Sequence, residues 1–438
     1  MKTNKPYDVV VVGGGPAGMM AAGRAAELGK SVLLLEKNST LGKKLLITGG
    51  GRCNVTNNPS TALRTGSPGT RAMLAKYKDS DKFLFSAFSQ FGAKDTLEFF
   101  NKRGMATKEE NEGRIFPISD KAQSVWDVLF RYMKEGGVEI RTNQEVIGLS
   151  VGKDGNSVIV KLKNKTELIA KSCVLATGGT SRPETGSTGE GFKWLKKLGH
   201  KIIENDVALV PVAIKDLPRR QAGVWSKKLS GVALKDIKLT TFQNGEKQAA
   251  QIGKLLFTHF GISGPTVLNM SKEIGELLKY GEVSIKLDLF PKLDQGALKK
   301  KLQELLITES NKKLKNTLGK LIPSALVGAV LELSNIDGET ANHSVRSGDR
   351  VKLAALLKTI PLNVKGLLGS DKAVVSSGGV ALEEVNFKTM QSRIVPNLYL
   401  VGDVLNIDRP SGGYSLQLCW TTGFVAGTNC RHFSKLAQ

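Results

Sequence analysis

The 438-residue chain has few cysteines and histidines, no long apolar run and only 6% aromatic residues. Its cysteines form no CxxC pair and no metal-ligand spacing, which argues against a dithiol redox centre, a zinc site and a disulfide framework. They are Cys53, Cys173, Cys419 and Cys430. No apolar stretch approaches the roughly 20 residues that span a bilayer. We therefore expect a cytoplasmic protein with no metal site and no membrane contact.

The most informative pattern lies near the start of the chain. The apolar run Val9–Val12 is typical of a buried parallel strand, and the glycines after it have the GxGxxG spacing of a dinucleotide-binding turn. Gly13 permits the tight turn, Gly15 lets the backbone approach a diphosphate, and Gly18 allows close helix packing. A predicted helix and second strand then lead to Glu36, whose carboxylate can accept the hydroxyls of an adenosine ribose.

The same α/β pattern returns after a long interval. Strand-like segments before Thr177-Gly178-Gly179 and before Gly402-Asp403 predict further strands of one sheet, and an apolar helix is predicted to follow Gly412-Gly413. Short alternating strands and then a Lys- and Leu-rich helical stretch lie between them. We predict an α/β fold with a split Rossmann-like domain (residues 1–194 and 369–438), a β-rich inserted domain (195–290 and 341–368) and a helical subdomain (291–340).

FAD fits these distant segments better than NAD. The late Gly402-Asp403 pair suits a ribityl chain and a diphosphate, with Asp403 accepting from a ribitol hydroxyl, and NAD has no ribitol. The helix after Gly413 would direct its positive end at the pyrimidine edge of a flavin. No second GxGxxG follows a strand, which excludes a separate nicotinamide domain, so NADPH or NADH would visit the flavin transiently. An oxidase that uses oxygen would need no such donor, and that alternative stays open.

Residues 42–57 are dense in glycine and polar residues directly after the second strand. Backbone without side chains can lie against a flat ring, and Arg52 would supply a fixed positive charge. We predict a flavin-contacting loop. A surface turn whose asparagines cap a helix is the alternative.

Longer strings of residues make the pattern specific. Segments 44–57, 177–189, 256–265, 378–380 and 402–417 resemble, in order, the BaiN/YhiN-type bacterial flavoproteins. The resemblance implies a FAD-binding domain of the fumarate reductase and glutathione reductase superfamily with an inserted β-barrel and a small helical subdomain. Family members are linked to reduction of a C=C bond in bile acid intermediates, to conversion of uridine to dihydrouridine in large-subunit ribosomal RNA, and to aminoacetone oxidation.

The resemblance is incomplete on the substrate side. The family often has Glu-Val-Leu-Asp where this chain has Asp403-Val404-Leu405-Asn406, which puts substrate contacts at Asn406 and Arg409 in doubt but keeps the cofactor role of Asp403. Motifs and resemblance together give these predicted cofactor residues: Gly13, Gly15, Pro16, Ala17, Gly18, Glu36, Lys37, Lys44, Gly50, Gly51, Arg52, Cys53, Asn54, Val146, Thr177, Gly178, Gly179, Gly402, Asp403, Gly412, Gly413 and Tyr414.

Reduction of an activated C=C bond needs one positioned acid, and three residues are catalytic candidates: Cys53, His259 and Tyr414. An ordinary thiol can donate a proton at neutral pH, although the neighbouring Arg52 would favour the thiolate of Cys53. Alternatively, Cys53 is a small buried side chain that packs beneath the flavin and takes no part in proton transfer. For His259 the alternative is a structural histidine in the barrel wall.

The charge is strongly unbalanced: 63 Lys and Arg against 40 Asp and Glu give a formal net charge of +23. A bound dinucleotide carries only about two negative charges and so balances little of this excess. Binding of a nucleic acid is one explanation of the remaining positive charge, and a solvated, soluble surface is the other. The basic residues noted are Lys43, Lys44, Arg52, Arg64, Arg71, Arg219, Arg220, Lys227, Lys228, Lys299, Lys300, Lys301, Lys312, Lys313 and Lys315. The leading hypothesis is a reductase of uridine in ribosomal RNA; a small-molecule flavoenzyme and a non-enzymatic RNA-binding protein are the alternatives. The oligomeric state is open.

Overall fold

The computed structural model describes residues 7–58, 69–203, 209–215, 228–369 and 378–431. The chain forms two compact units, one of residues 1–207 and 374–438 and the other of residues 208–373. Each unit has its own hydrophobic cluster. The predicted split α/β domain is confirmed. The basic residues Arg64, Arg219, Arg220 and Lys227 lie outside the described residues.

Both units contain strands and helices. In chain order, the strands are β1 Tyr7–Val12, β2 Val32–Leu35, β3 Thr56–Asn57, β4 Thr107–Glu110, β5 Arg114–Pro117, β6 Glu139–Arg141, β7 Val146–Val151, β8 Val158–Leu162, β9 Glu167–Leu175, β10 Ile202–Ile203, β11 Val212–Ile214, β12 Ala233–Gln243, β13 Glu246–Thr258, β14 Gly261–Ser263, β15 Val283–Asp288, β16 Ile360–Leu367, β17 Gly379–Val380 and β18 Leu398–Leu400. The α-helices are α1 Pro16–Glu27, α2 Lys43–Ile47, α3 Gly69–Leu74, α4 Asp81–Gln90, α5 Ala93–Lys102, α6 Ala122–Glu135, α7 Glu190–Lys197, α8 Pro265–Leu278, α9 Gln295–Thr308, α10 Leu314–Leu318, α11 Ser324–Ser334, α12 Ser347–Lys358 and α13 Tyr414–Asn429.

The sheet of the first unit has the order β6-β2-β1-β9-β8-β7, and β18 also pairs with β9. The pairs β6–β2, β2–β1, β1–β9 and β9–β18 are parallel. Val12 is in register with Leu35 and Leu175, and Leu175 with Leu400. Because parallel strands end at a common edge, the five segments that follow these strands are brought together there.

The first and last helices, α1 and α13, pack closely against each other. A Cβ added at Gly423 would lie 2.5 Å from the carbonyl oxygen of Ala17, and one at Gly427 would lie 2.5 Å from that of Ala21. Only glycine allows this approach of the two backbones. The C-terminal part of the chain therefore completes the N-terminal domain.

The second unit contains a closed barrel of strand order β11-β14-β13-β12-β15-β16. One hydrophobic cluster includes barrel residues such as Leu239 and Ile285 together with helix residues such as Leu302 and Leu326. Barrel and helices thus share one core. Among the described residues, no helix is both long and apolar enough to cross a membrane.

Two predicted domain boundaries need correction. The boundary between residues 194 and 195 falls inside α7, and the first unit extends to residue 207 because β10 pairs with β17. The helical stretch also does not end at residue 340, since α12 continues it to residue 358. Helix α12 buries Leu353 and Leu357 in the shared core. Both errors arise because apolar periodicity predicts where helices and strands lie, but not which hydrophobic core each of them packs into.

Candidate cofactor site

The glycine turn after β1 has the geometry that each glycine was predicted to provide. Gly13 has a φ of 106°, and a Cβ there would lie 2.5 Å from the carbonyl oxygen of Ala176. A Cβ at Gly18 would overlap the carbonyl oxygen of Gly13. A Cβ at Gly15, in contrast, would meet nothing within 4 Å. The turn therefore leaves open space at the one glycine whose neighbourhood a diphosphate would fill.

A cleft with an empty volume of about 930 Å³ opens at the common edge of the parallel strands. Its lining includes twelve of the predicted cofactor residues: Gly13, Gly15, Pro16, Ala17, Glu36, Lys37, Lys44, Val146, Thr177, Gly178, Gly402 and Asp403. These residues come from five chain segments between Gly13 and Asp403. The structure thus brings them to one cavity.

Glu36 is nearly buried at the end of β2, with 8% of its surface exposed. Its Oε2 accepts from the N–H of Gly14 at 2.8 Å, and its Oε1 accepts from the N–H and the Nδ2 of Asn38 at 2.8 and 2.7 Å. These bonds hold the carboxylate against the glycine turn. An ionised carboxylate in this position can accept ribose hydroxyls with its remaining lone pairs.

One feature of the cleft fits a bound FAD. It is the open space at Gly15, beside the N-terminus of α1, where backbone N–H groups favour a phosphate. Thr177 also lines the cleft, but its Oγ1, buried without a hydrogen-bond partner, packs against α7, where a Cβ added at Gly191 would lie 2.2 Å from it.

Asp403 lines the cleft, but its carboxylate already has a strong partner. Its Oδ1 is bound by the guanidinium of Arg409, whose side chain is 1% exposed. Arg409 also donates to the carbonyl oxygen of Ile407 at 2.6 Å and to Oγ of Ser415 at 3.0 Å. Arg409 therefore fixes Asp403 and ties it to the first turn of α13. The predicted bond from a ribitol hydroxyl would add to this pair.

Lys44 brings a second positive charge to the same region. It lines the cleft, and its Nζ donates to Oγ of Ser181 at 3.1 Å. Burial lowers the pKa of Lys44, and the nearby Asp403 carboxylate opposes that change. An ammonium group near the glycine turn suits an anionic ligand.

The glycine loop of residues 48–57 packs against α13 rather than lining the cleft. Trp420 Nε1 donates to the carbonyl oxygen of Val55 at 2.9 Å, and Asn57 Nδ2 donates to that of Gly412 at 2.9 Å. A Cβ at Gly413 would lie 2.5 Å from Thr56. Helix α13 also supplies a cleft residue, Cys419, and so connects the loop to the cleft. The flavin contact of this loop stays a prediction.

The predicted role of Arg52 needs correction. Its guanidinium is bound by Glu110 and by Asp120, with Nε 2.9 Å from Asp120 Oδ1, and it lies 4.2 Å from the Phe116 ring centroid. Hydrogen bonds from Arg52 lower the pKa of Glu110 and raise the pKa of Arg52 itself. The positive charge is therefore neutralised by two carboxylates and does not act on Cys53.

The three catalytic candidates lie in different surroundings. Cys53 is fully buried, and burial raises the pKa of its thiol to about 12, so the expected shift towards thiolate is wrong. Tyr414 is 6% exposed and donates to Oδ1 of Asn57 at 3.1 Å, and burial raises its pKa to about 12. His259 is exposed in the two-residue turn between β13 and β14, not in the barrel wall. None of the three lines the cleft.

Several cleft residues were not predicted. They are Val12, Leu35, Asn38, Gly42, Lys43, Gln144, Ala176, Thr185, Gly186, Ser187, Thr188, Glu190, Trp194, Val401 and Cys419. Two of these residues, Thr188 and Glu190, connect the segment after β9 to the segment after β2. Lys37 Nζ lies 2.8 Å from Glu190 Oε2 and 2.9 Å from Thr188 Oγ1. Predicted residues outside the lining are Gly18, Gly50, Gly51, Arg52, Cys53, Asn54, Gly179, Gly412, Gly413 and Tyr414.

Comparison with known proteins identifies the family. The model of the family described as "HI0933-like protein Rossmann domain" matches residues 7–429. The chain belongs to the HI0933-like family. This assignment confirms the resemblance seen in the sequence, and the HI0933-like chain is a FAD-dependent oxidoreductase.

Two curated relatives of this HI0933-like chain are similar from end to end. "Ribosomal RNA dihydrouridine synthase" of Escherichia coli K12 is 32% identical over 420 residues, 96% of each chain. "3-dehydro-bile acid delta(4,6)-reductase" of Clostridium scindens is 30% identical over 421 residues, 95% of this chain and 97% of the relative. A solved 3-ketosteroid delta1-dehydrogenase of Sterolibacterium denitrificans matches 97% of this chain and 99% of its own with a TM-score of 0.55 and 14% identity, which shows a shared fold.

The buried thiols of this HI0933-like chain predict a loss of stability in alkali. Burial raises the pKa of Cys53, Cys419 and Cys430 to about 12, above the value near 8.5 of an unfolded chain. The folded state therefore holds these protons more tightly, and their stabilising contribution is complete below about pH 8.5 and is lost as the pH rises towards 12.

We expect the free energy of unfolding to fall between about pH 9 and pH 11 by about 1 kcal/mol per pH unit for each thiol. Urea denaturation at a series of pH values measures this slope. The Cys53→Ala variant should show a shallower slope than the wild type. An identical slope in the two proteins would contradict the assignment of Cys53 as a protonated buried thiol.

Proposed function

We propose that this enzyme reduces uridine to dihydrouridine in large-subunit ribosomal RNA in the cytoplasm, with FAD and with NADPH or NADH as the electron donor. The observation that carries the proposal is the end-to-end similarity to the E. coli ribosomal RNA dihydrouridine synthase. A second relative with that name, from Haemophilus influenzae, is 27% identical over 422 residues. The cleft at the strand edge supports the cofactor part of the proposal.

Bound FAD would supply hydride transfer to an electron-poor double bond. The residues of this chain would hold it from several sides. Glu36 would accept ribose hydroxyls, the N-terminus of α1 at Gly15 would bind the diphosphate, and Asp403 would bind the ribityl chain.

The net charge of +23 supports an RNA substrate. An enzyme that acts on a base must take it out of its stack, and the affinity for the surrounding strand comes largely from Lys and Arg at phosphates. Such binding weakens steeply as the salt concentration rises.

The deciding experiment is nucleoside mass spectrometry of ribosomal RNA from a strain in which the gene is deleted. We expect dihydrouridine to disappear from the large-subunit RNA and to return on complementation with the wild-type gene. Complementation with a gene that encodes Gly15→Asp serves as the cofactor-site control and should not restore it. Unchanged dihydrouridine in the deletion strain would contradict the proposal.

A small-molecule reductase is the second candidate, favoured by the 30% identity to the bile acid reductase over 95% of this chain. It predicts turnover of a conjugated steroid ketone by purified enzyme with NADPH or NADH, and no loss of dihydrouridine in the deletion strain. Peroxide release on reoxidation in air with an amine substrate would instead indicate an oxidase.

A further inference from the structure

One face of the barrel in the second unit carries lysines that form no ion pair with a carboxylate of the described residues. Strand β12 buries alternate residues, among them Ile237, Leu239 and Thr241, so Lys238, Thr240 and Phe242 point away from the core. Their register neighbours on β13 are Ile252, Ala250 and Lys247, and those on β15 are Asp288, Lys286 and Ser284. We define the barrel lysine face as Lys238, Lys247, Lys286, Phe242 and Ile252.

Two of the three acidic groups near this face are neutralised or directed elsewhere; the third, Asp236, is exposed on β12 two residues before Lys238. Asp288 is paired with Lys358 at 2.7 Å. Glu246 is in register with Gln243. Because successive side chains of a strand point to opposite sides, Glu246 and Gln243 lie on the opposite side of the sheet from Phe242 and Lys247. Gln243 Nε2 donates there to the carbonyl oxygen of Leu277 on α8. Over the described ranges, no ion pair links Lys238, Lys247 or Lys286 to a carboxylate.

Four lysines of the helical region differ in this respect. Lys312 and Lys320 are paired with Glu309, and Lys313 and Lys315 are paired with Glu339, whose pKa they lower to about 2. Much of the positive charge that the sequence concentrates in this region is therefore used within the protein. The barrel lysine face keeps its charge available to a partner.

Apolar groups lie among the lysines of the barrel face. The ammonium group of Lys286 lies 4.3 Å from the centroid of the Phe242 ring, which orients the long side chain. Ile252, next to Lys238 across the strand pair, is 67% exposed. Basic groups with apolar and aromatic groups between them suit a single strand of nucleic acid, because phosphates contact the cations while bases contact the apolar surface.

The three lysines spread over neighbouring strands of the barrel. Lys286 lies opposite Thr240, midway between Lys238 and the residue opposite Lys247, so the lysines are offset along the strand direction by about 7 Å each. Lys247 and Lys286 are on β13 and β15, on either side of β12, so they are also about 10 Å apart across the sheet.

We propose that the barrel lysine face binds single-stranded RNA through its phosphates. This inference rests on the proposed function, which requires an RNA substrate, and it assigns the contact to named residues. The face would hold a segment of the substrate RNA, and its residues do not line the cofactor cleft.

The test compares wild-type holoenzyme with the triple variant Lys238→Gln/Lys247→Gln/Lys286→Gln. The probe is a fluorescein-labelled oligouridine RNA, and its anisotropy gives Kd between about 50 and 200 mM salt. We expect Kd to rise about tenfold or more, and the slope of log K against log salt to fall by about 2, because each lost phosphate contact removes about 0.7. FAD content and the thermal midpoint should match the wild type.

The matched control is Lys299→Gln/Lys300→Gln/Lys301→Gln on α9, which removes the same charge from residues with no ion pair among the described contacts. We expect its Kd to change by less than about twofold, since it leaves the phosphate-binding face intact. An equal loss in both variants would overturn the proposal, because only the net charge would matter.

Failure of the face and failure of the function are distinguishable. If the deletion strain loses dihydrouridine, and the barrel variant binds the probe as wild type does and restores the modification, the proposed face is wrong and the function stands. If wild-type protein does not bind the probe at low salt and the deletion strain keeps dihydrouridine, the function fails and the RNA-binding face fails with it.

Discussion

Gly15→Asp should give a folded protein that is purified without FAD. Gly15 is the N-cap of α1 with φ −77° and ψ −179°, a conformation that any residue adopts, and a Cβ there meets nothing within 4 Å. Aspartate is also a preferred N-cap residue. The new carboxylate, however, would face the proposed place of the diphosphate. Like charges about 4 Å apart near a protein surface cost about 4 kcal/mol, a loss of affinity of about a thousandfold.

Flavin absorbance after desalting, and titration of the apoprotein with FAD, measure this effect. Gly15→Ser is the neutral control with an equally good N-cap, and it should lose less affinity. Gly328→Asp places the same charge on an exposed position of α11, where a side chain also meets nothing within 4 Å, and should keep its FAD. Retention of FAD by Gly15→Asp would place the diphosphate elsewhere.

Arg409→Met should destabilise the protein by about 3–5 kcal/mol, because it removes one partner of a buried ion pair. The side chain of Arg409 is 1% exposed and that of Asp403 is 15% exposed, so the remaining carboxylate would lose its hydrogen-bonded partner, have little water, and keep only the nearby Lys44 as a counter-ion. Such a loss is a large part of the roughly 5–15 kcal/mol that typically stabilises a domain.

Urea denaturation of the apoprotein gives the free energy of unfolding directly. The double variant Arg409→Met/Asp403→Asn should recover part of the loss, because it removes the unpaired charge as well. Arg131→Met, at an exposed position of α6, controls for the loss of an arginine and should change stability by less than about 0.5 kcal/mol. If the buried and the exposed variant were equally stable, the Asp403–Arg409 pair would have no structural role.

The first part of the cofactor site could be predicted because its signals are local. A buried strand, three spaced glycines and an acidic residue at the end of the next strand all lie between Val9 and Glu36. Each has a steric or hydrogen-bonding cause that does not depend on the rest of the fold. The structure places Gly13, Gly15 and Glu36 in one cleft for the same reasons.

Gln144 was not predicted because its position depends on the order of the strands. It follows β6, which pairs with β2, and its N–H donates to the carbonyl oxygen of Glu36 at 2.9 Å. Periodicity indicates that β6 is a strand, but it does not say which strand lies beside it. Sheet order is decided by packing across the whole unit.

The partner of Asp403 was likewise hidden from sequence reasoning. Arg409 is only six residues away, yet an arginine near an aspartate has no spacing that predicts a buried pair outside a helix. His200 is a more distant case, since it is buried between Glu384 and Ser392, at 2.9 Å from each. No local motif marks partners that lie so far along the chain.

The pairing of β18 with β9 and of α13 with α1 sets the order in which the protein can mature. The ribosome delivers the glycine turn and Glu36 before the barrel unit, and Gly402, Asp403 and α13 after it. Domains fold as units once their residues are available. A nascent chain whose residues from Gly402 onwards are still inside the ribosome therefore lacks Gly402, Asp403 and Cys419 from the lining of the cleft.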